Sequence, residues 1–179
     1  THVFSPDQYG VVSLAYAFMG FSMMFYRYGM DTALMKYSVQ LNTDNRTAYI
    51  SSIYILQLFS SIIFSTILYL VRDYVSEPIL GVENPDWVMI LAGILMLDNL
   101  WNHHVLLLRA ENKPGSYIFF NLLNVILTMA LNILFVVKWG LGIKGVLISN
   151  LFVSSIVFIF SLPIIIKRVN LSLIKSNVI

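Results

Sequence analysis

Asp98 is the one charged side chain within five long apolar stretches, and it opens a polar patch that continues through Asn99, Asn102, His103 and His104. A carboxylate near the middle of a bilayer costs at least about 2.5 to 3.5 kcal/mol on insertion scales, so it either faces a wet interior or carries a proton. Both states suit a proton carrier. At about 100° per residue on a helix, Asn102 and Arg109 fall within ~40° of Asp98, while Asn99 and His103 form the adjoining flank. Asp98, Asn102 and His103 are therefore the candidate proton-coupling group, and hydrogen bonding between neighbouring helices is the competing role. His104 points to another side, and two adjacent histidines that do not share a face make a poor metal pair.

A second constellation is the stripe Asn121, Asn124, Thr128 and Asn132, which projects within an arc of about 80°. An unsatisfied amide in hydrocarbon costs several kcal/mol, so this stripe must face protein or water, where its amides are candidates for substrate binding. Arg27 and Asp31 are one helical turn apart and can pair, and Lys36 lies about two turns beyond Arg27. Such a group can line a site for an anionic headgroup, arginine being suited to two-pronged phosphate contacts, or it can anchor a helix at the membrane surface. Gln57 and Asn150 stand alone among apolar residues, which favours interhelical hydrogen bonds.

Nothing in the chain resembles a hydrolase nucleophile with its base, a phosphate-binding glycine loop or a zinc helix motif. Gly140, Gly142 and Gly145 read as a turn. With zero cysteines there are no disulfides, iron-sulfur clusters or thiolate zinc sites, and no cofactor or metal is expected. A net charge of +2, dispersed along the chain, gives no footprint for nucleic acid.

These residues must be positioned by helices that cross a membrane. The uncharged runs 8–26, 47–71, 114–137 and 145–166, and the run 87–108 that holds Asp98, each reach the ~20 residues needed to span about 30 Å of hydrocarbon. With 58% hydrophobic and 11% charged residues, too little polar surface remains for a water-soluble shell. Strands of a membrane barrel would alternate in polarity, and these runs do not. The expected fold is an all-α polytopic bundle of five spans, at about 9–38 (membrane part 9–26), 47–71, 87–108, 116–137 and 143–166, with 167–179 as a cytoplasmic tail or linker. The stretch 27–39 lacks proline, so the first helix is expected to run on to Ser38, about 45 Å in all, with Gly29 as its weak point.

The eleven Lys and Arg residues set the orientation. Arg27, Lys36, Arg46, Arg109, Lys113, Lys167, Arg168 and Lys175 fall on one side, against Arg72, Lys138 and Lys144 on the other. The richer side is read as cytoplasmic, with the chain start external and its end cytoplasmic. The longest external connection is expected at 72–86, which is acidic and punctuated by Pro78, Gly81 and Pro85. Glycosylation sequons at Asn45 and Asn170 then lie on the cytoplasmic side and are chance occurrences. The chain opens on Thr1 without a signal peptide and holds an odd number of spans, so it is expected to start inside a longer protein.

The residues FSPDQYG at 4–10 resemble the polysaccharide biosynthesis (oligosaccharide flippase) branch of the multidrug/oligosaccharidyl-lipid/polysaccharide exporter superfamily, which commonly shows Leu-Ser-Pro-Glu-x-Tyr-Gly. Phe4 and Asp7 replace the usual Leu and Glu. YGMDTALMKY at 28–37 is similar to that family's second helix, and 107–136 with the turn GLGIKG is a third match in family order. The resemblance implies a transporter of twelve or fourteen helices in two lobes, of which this chain supplies helices two to six of the amino-terminal lobe. It implies alternating access that carries a lipid-linked oligosaccharide on a polyprenyl diphosphate from the cytoplasmic to the external leaflet of a bacterial inner membrane. It further implies coupling to a proton or sodium ion, contact with membrane lipid and with polysaccharide assembly proteins, a basic cavity lining at Arg27 and Lys36, and a cavity-facing role for Asp98 and the asparagine stripe. The alternatives are a drug or cation antiporter of the same superfamily, and a membrane-embedded glycosyltransferase or polymerase, which would need a larger external loop.

Overall fold

A computed structural model describes residues 4–40 and 43–169. They form six α-helices: α1 (Pro6–Arg27), α2 (Met30–Gln40), α3 (Thr43–Leu80), α4 (Pro85–Ala110), α5 (Pro114–Asn132) and α6 (Gly142–Arg168). Among the described residues there is no strand. The residues beyond 169, including the expected tail, Asn170 and Lys175, lie outside the described part.

The starts of these helices follow from local chemistry. Ser5 caps α1 in a reciprocal box with Gln8, the side-chain oxygen of each taking the other's backbone N–H, and Pro6 occupies the first turn where its missing N–H costs nothing. The SPDQ motif is thus a helix-start signal. Pro85 and Pro114 open α4 and α5 in the same way.

The single first helix expected over 9–38 is in fact two. Tyr28 (φ 45°) and Gly29 (φ 70°) turn left-handed, and Tyr28 closes α1 by donating to the Met24 carbonyl at 3.1 Å. Holding tyrosine there costs about 1 to 2 kcal/mol. What offsets it is the Tyr26 carbonyl, freed by the break, which accepts from the amides of Gln57 on α3 and Asn99 on α4. The expected loop at 72–86 is also mostly helix. α3 runs through Pro78 to Leu80, since a proline near the end of a helix forfeits few backbone bonds, and Gly81 (φ 70°) then ends it. At the other end of the chain, Lys167 and Arg168 belong to the last turn of α6 and not to a tail.

Four helical stretches, α1, α3, α5 with the π-helical turn Ile133–Lys138, and α6, are long and apolar enough to cross a membrane. Their outward faces carry Phe21, Phe59, Ile63, Leu122, Met129 and Phe160, as a lipid-facing rim must. The fifth expected span, α4, is long enough at about 39 Å and differs from these four in its polar patch from Asp98 to His104. It stands at the centre and packs against every other helix, so its polar groups meet protein where a peripheral helix would meet lipid. Buried serines such as Ser51, Ser52, Ser149 and Ser161 return their hydroxyls to carbonyls of their own helix, which lets backbones approach closely.

Candidate functional site

The polar groups of α4 divide between two flanks. On the first, Asn99 is fully buried and its amide donates to the Ser61 hydroxyl (2.8 Å) and to the Tyr26 carbonyl (3.2 Å). Tyr26 in turn shares a hydrogen bond with Ser65 through its hydroxyl, at 2.8 Å. One turn along, His103 is buried with Nδ1 3.0 Å from the Asn99 carbonyl and Nε2 3.4 Å from Asp31 Oδ1. A carbonyl only accepts, so Nδ1 carries a hydrogen, and Nε2, which faces the carboxylate, is bare in the neutral ring and carries a second hydrogen in the imidazolium. The other oxygen of Asp31 takes the Arg27 guanidinium at 3.1 Å. Arg27, Asp31 and His103 thus form a chain of charge that runs from a half-exposed arginine into the core.

The second flank carries Asp98. Its Oδ1 accepts from Trp101 Nε1 (2.9 Å) and from the Ser154 hydroxyl of α6 (2.6 Å). Asp98 and Asn102 are half-buried and Arg109, on the same face, is exposed. A cavity of about 600 Å³ opens where Arg109 meets Asn112, Pro114 and Tyr117. Between the two polar ends of this face Val105 is buried against α5 and α6, with Trp101 and Leu108 beside it, so the cavity serves the Arg109 end and Asp98 meets α6.

The structure brings Arg27, Asp31 and His103 into one cluster, while Asp98 turns to Ser154 of α6 on the other flank of α4 and Asn102 lies on Asp98's side. Lys36 is exposed on α2, with its ammonium over the Tyr37 ring, and stands apart. The asparagine stripe is half-buried and splits. Asn132 accepts from Ser149 of α6, Asn121 donates to the Tyr117 carbonyl of its own helix, and Thr128 donates to the Asn124 carbonyl. Gln57 and Asn150 make the interhelical bonds expected of lone amides, Asn150 to the Tyr16 hydroxyl at 3.0 Å. Sequence reasoning missed the Tyr26 carbonyl, Ser61, Ser154 and Glu111. Glu111 receives Arg46, Lys113 and Arg168, and its one signal was being an acid among so many basic residues.

A central polar helix inside a ring of lipid-facing helices defines a multi-pass membrane protein with hydrophilic chemistry held at membrane depth. The chain belongs to the polysaccharide biosynthesis protein family, whose profile matches residues 2–178. No curated protein and no solved structure matches it.

Proposed function

We propose that this chain is part of a flippase that moves a lipid-linked oligosaccharide from the cytoplasmic to the external leaflet by alternating access, for assembly of a surface polysaccharide. In this reading it transports and does not catalyse, it sits in a bacterial inner membrane, and its Arg- and Lys-rich end is cytoplasmic. The observation that carries the reading is the Arg27–Asp31–His103 chain, which joins α1, α2 and α4. Arg27 is balanced by Asp31 as the pair stands, and once released its guanidinium suits an anionic diphosphate.

The geometry supports a coupling step. With Nε2 of His103 bare, the Asp31 charge is directed to Arg27. A proton taken up between Nε2 and Asp31 Oδ1 turns their contact into an ion pair and loosens the hold of Asp31 on Arg27, whose guanidinium is then free to take a phosphate oxygen. Asp98 and Asn102 offer further proton and hydroxyl contacts on the other flank of α4, Asn121 and Asn124 on α5 offer amides to sugars, and Asn132 contributes through Ser149. Lys36 serves approach of the headgroup and not the bound state.

Transport of a lipid-linked saccharide by the reconstituted protein, measured across external pH, tests this. Arg27→Ala is expected to abolish transport at unchanged protein level, and His103→Gln to leave a reduced rate that no longer responds to pH. A wild-type rate in Arg27→Ala, or an unaltered pH profile in His103→Gln, refutes the assignment.

A further inference from the structure

Away from the polar face, the end of the bundle that bears Arg46, Lys113 and Arg168 holds an unbalanced charge cluster. Glu111 Oε1 accepts from Arg46 at 2.9 Å, and its Oε2 accepts from Arg168 at 2.7 Å and from Lys113 at 2.9 Å. Three cations thus share one carboxylate. Unpaired polar atoms crowd the same corner. Arg46 Nε, Arg168 Nη1, the Tyr54 hydroxyl and both ring nitrogens of His104 are buried without a hydrogen-bond partner. Such groups cost free energy until something satisfies them.

Directly beside this corner lies a groove of about 260 Å³ with no polar lining. It runs between α3 and α6 over Leu100, with Ile55, Leu58, Leu162 and Ile166 among its walls. Tyr54 and Val169 stand at its charged end, and Val169 is the neighbour of Arg168 in sequence. Tyr54 is 6% exposed, so its unpaired hydroxyl is held within the wall between groove and cluster. Leu100 is about 160° around α4 from Asp98, so the groove lies on the opposite side of that helix from Asp98.

We propose that the Arg46–Lys113–Arg168 cluster and the adjoining groove form a binding site for an anionic phospholipid, with its phosphate on the two guanidinium groups and one acyl chain along the groove. The excess of two positive charges selects an anionic headgroup over a zwitterionic one. The apolar walls select a lipid over a free anion. A phosphate oxygen drawn between Arg46 and Arg168 takes up donors that Glu111 leaves over, because one carboxylate cannot serve two guanidinium forks and an ammonium together. The bound lipid is a fixed component of the bundle and not the cargo.

The test is retention of phosphatidylglycerol against phosphatidylcholine by the purified protein in mixed micelles, read by native mass spectrometry. Phosphatidylglycerol is expected to bind about fivefold or more tightly, and Arg168→Gln to lower its affinity about fivefold toward that of phosphatidylcholine. Ile166→Trp fills the groove and leaves the charges intact; it is expected to weaken both lipids while transport persists. Equal retention of the two lipids, full competition by inorganic phosphate alone, or undiminished binding in Ile166→Trp each overturns the proposal. The last outcome would mean that the groove is closed by protein.

Discussion

Removing Asn99 tests whether the break in the first helix is held by side chains from elsewhere. Asn99→Leu is roughly constant in volume and, at a site with no exposure, removes the two hydrogen bonds that the Asn99 amide donates to the Ser61 hydroxyl and to the Tyr26 carbonyl. Interhelical bonds in membranes average ~0.6 kcal/mol and reach ~1.7, so two lost bonds cost about 1 to 3 kcal/mol. The Asn99 side-chain oxygen is itself buried without a partner, and its removal returns part of that, leaving a net loss of about 1 to 2 kcal/mol. The informative variant is the double one. Gln57 is the second donor to the Tyr26 carbonyl, so either amide alone still caps it, and only Asn99→Leu with Gln57→Leu strips it bare. The pair should be worse than the sum of its parts by about 0.5 kcal/mol or more. Reversible unfolding in mixed micelles of graded denaturing strength gives the four free energies of the cycle. Strict additivity, or a double variant as stable as the parent, would show that the carbonyl does not need these caps and would refute the account of the break.

Gly29→Ala places a methyl in open space but at φ 70°, so it should cost about 1 to 2 kcal/mol in the same assay through backbone strain alone. An unchanged stability would mean that α1 and α2 can fuse. Burial alone would raise the Glu111 carboxyl, but the Lys113 hydrogen bond and the charges of Arg168, Lys113 and Arg46 outweigh it and hold it below the ordinary 4.5. A depressed carboxylate stabilises fully above its unfolded value and loses that contribution as pH falls through the lower folded one. Melting midpoints should therefore drop as pH goes below about 4.5 in the parent and much less in Glu111→Gln, and parallel curves would contradict this.

The spans were legible because lipid imposes a demand that each helix meets with its own residues. Five apolar runs of sufficient length have no other use, and Gln57 and Asn150, isolated in hydrocarbon, had to find partners on neighbouring helices. The break at Tyr28 was not legible. One glycine costs a helix only about 1 kcal/mol, and what decides the matter is a pair of amides supplied by α3 and α4. The extension of α3 past Pro78 was hidden by reading proline as punctuation when its place in the helix decides its cost. Glu111 escaped notice because its partners Arg46 and Arg168 are 65 and 57 residues away in the chain. Asp98 was found by its type, yet which of its oxygens is held, and by Ser154 of α6, depends on how two helices meet.

The central place of α4 bears on how the protein is made. Asp98, Asn99, Asn102, His103 and His104 render this segment a poor inserter by itself, since one aspartate at mid-depth already opposes entry by about 2.5 to 3.5 kcal/mol. The helices synthesised before it, α1 to α3, carry the hydroxyls, carbonyl and carboxylate that receive Asn99 and His103. In the finished bundle the polar groups of α4 are thus met by helices that precede it in the chain, and its insertion is expected to depend on their being in place.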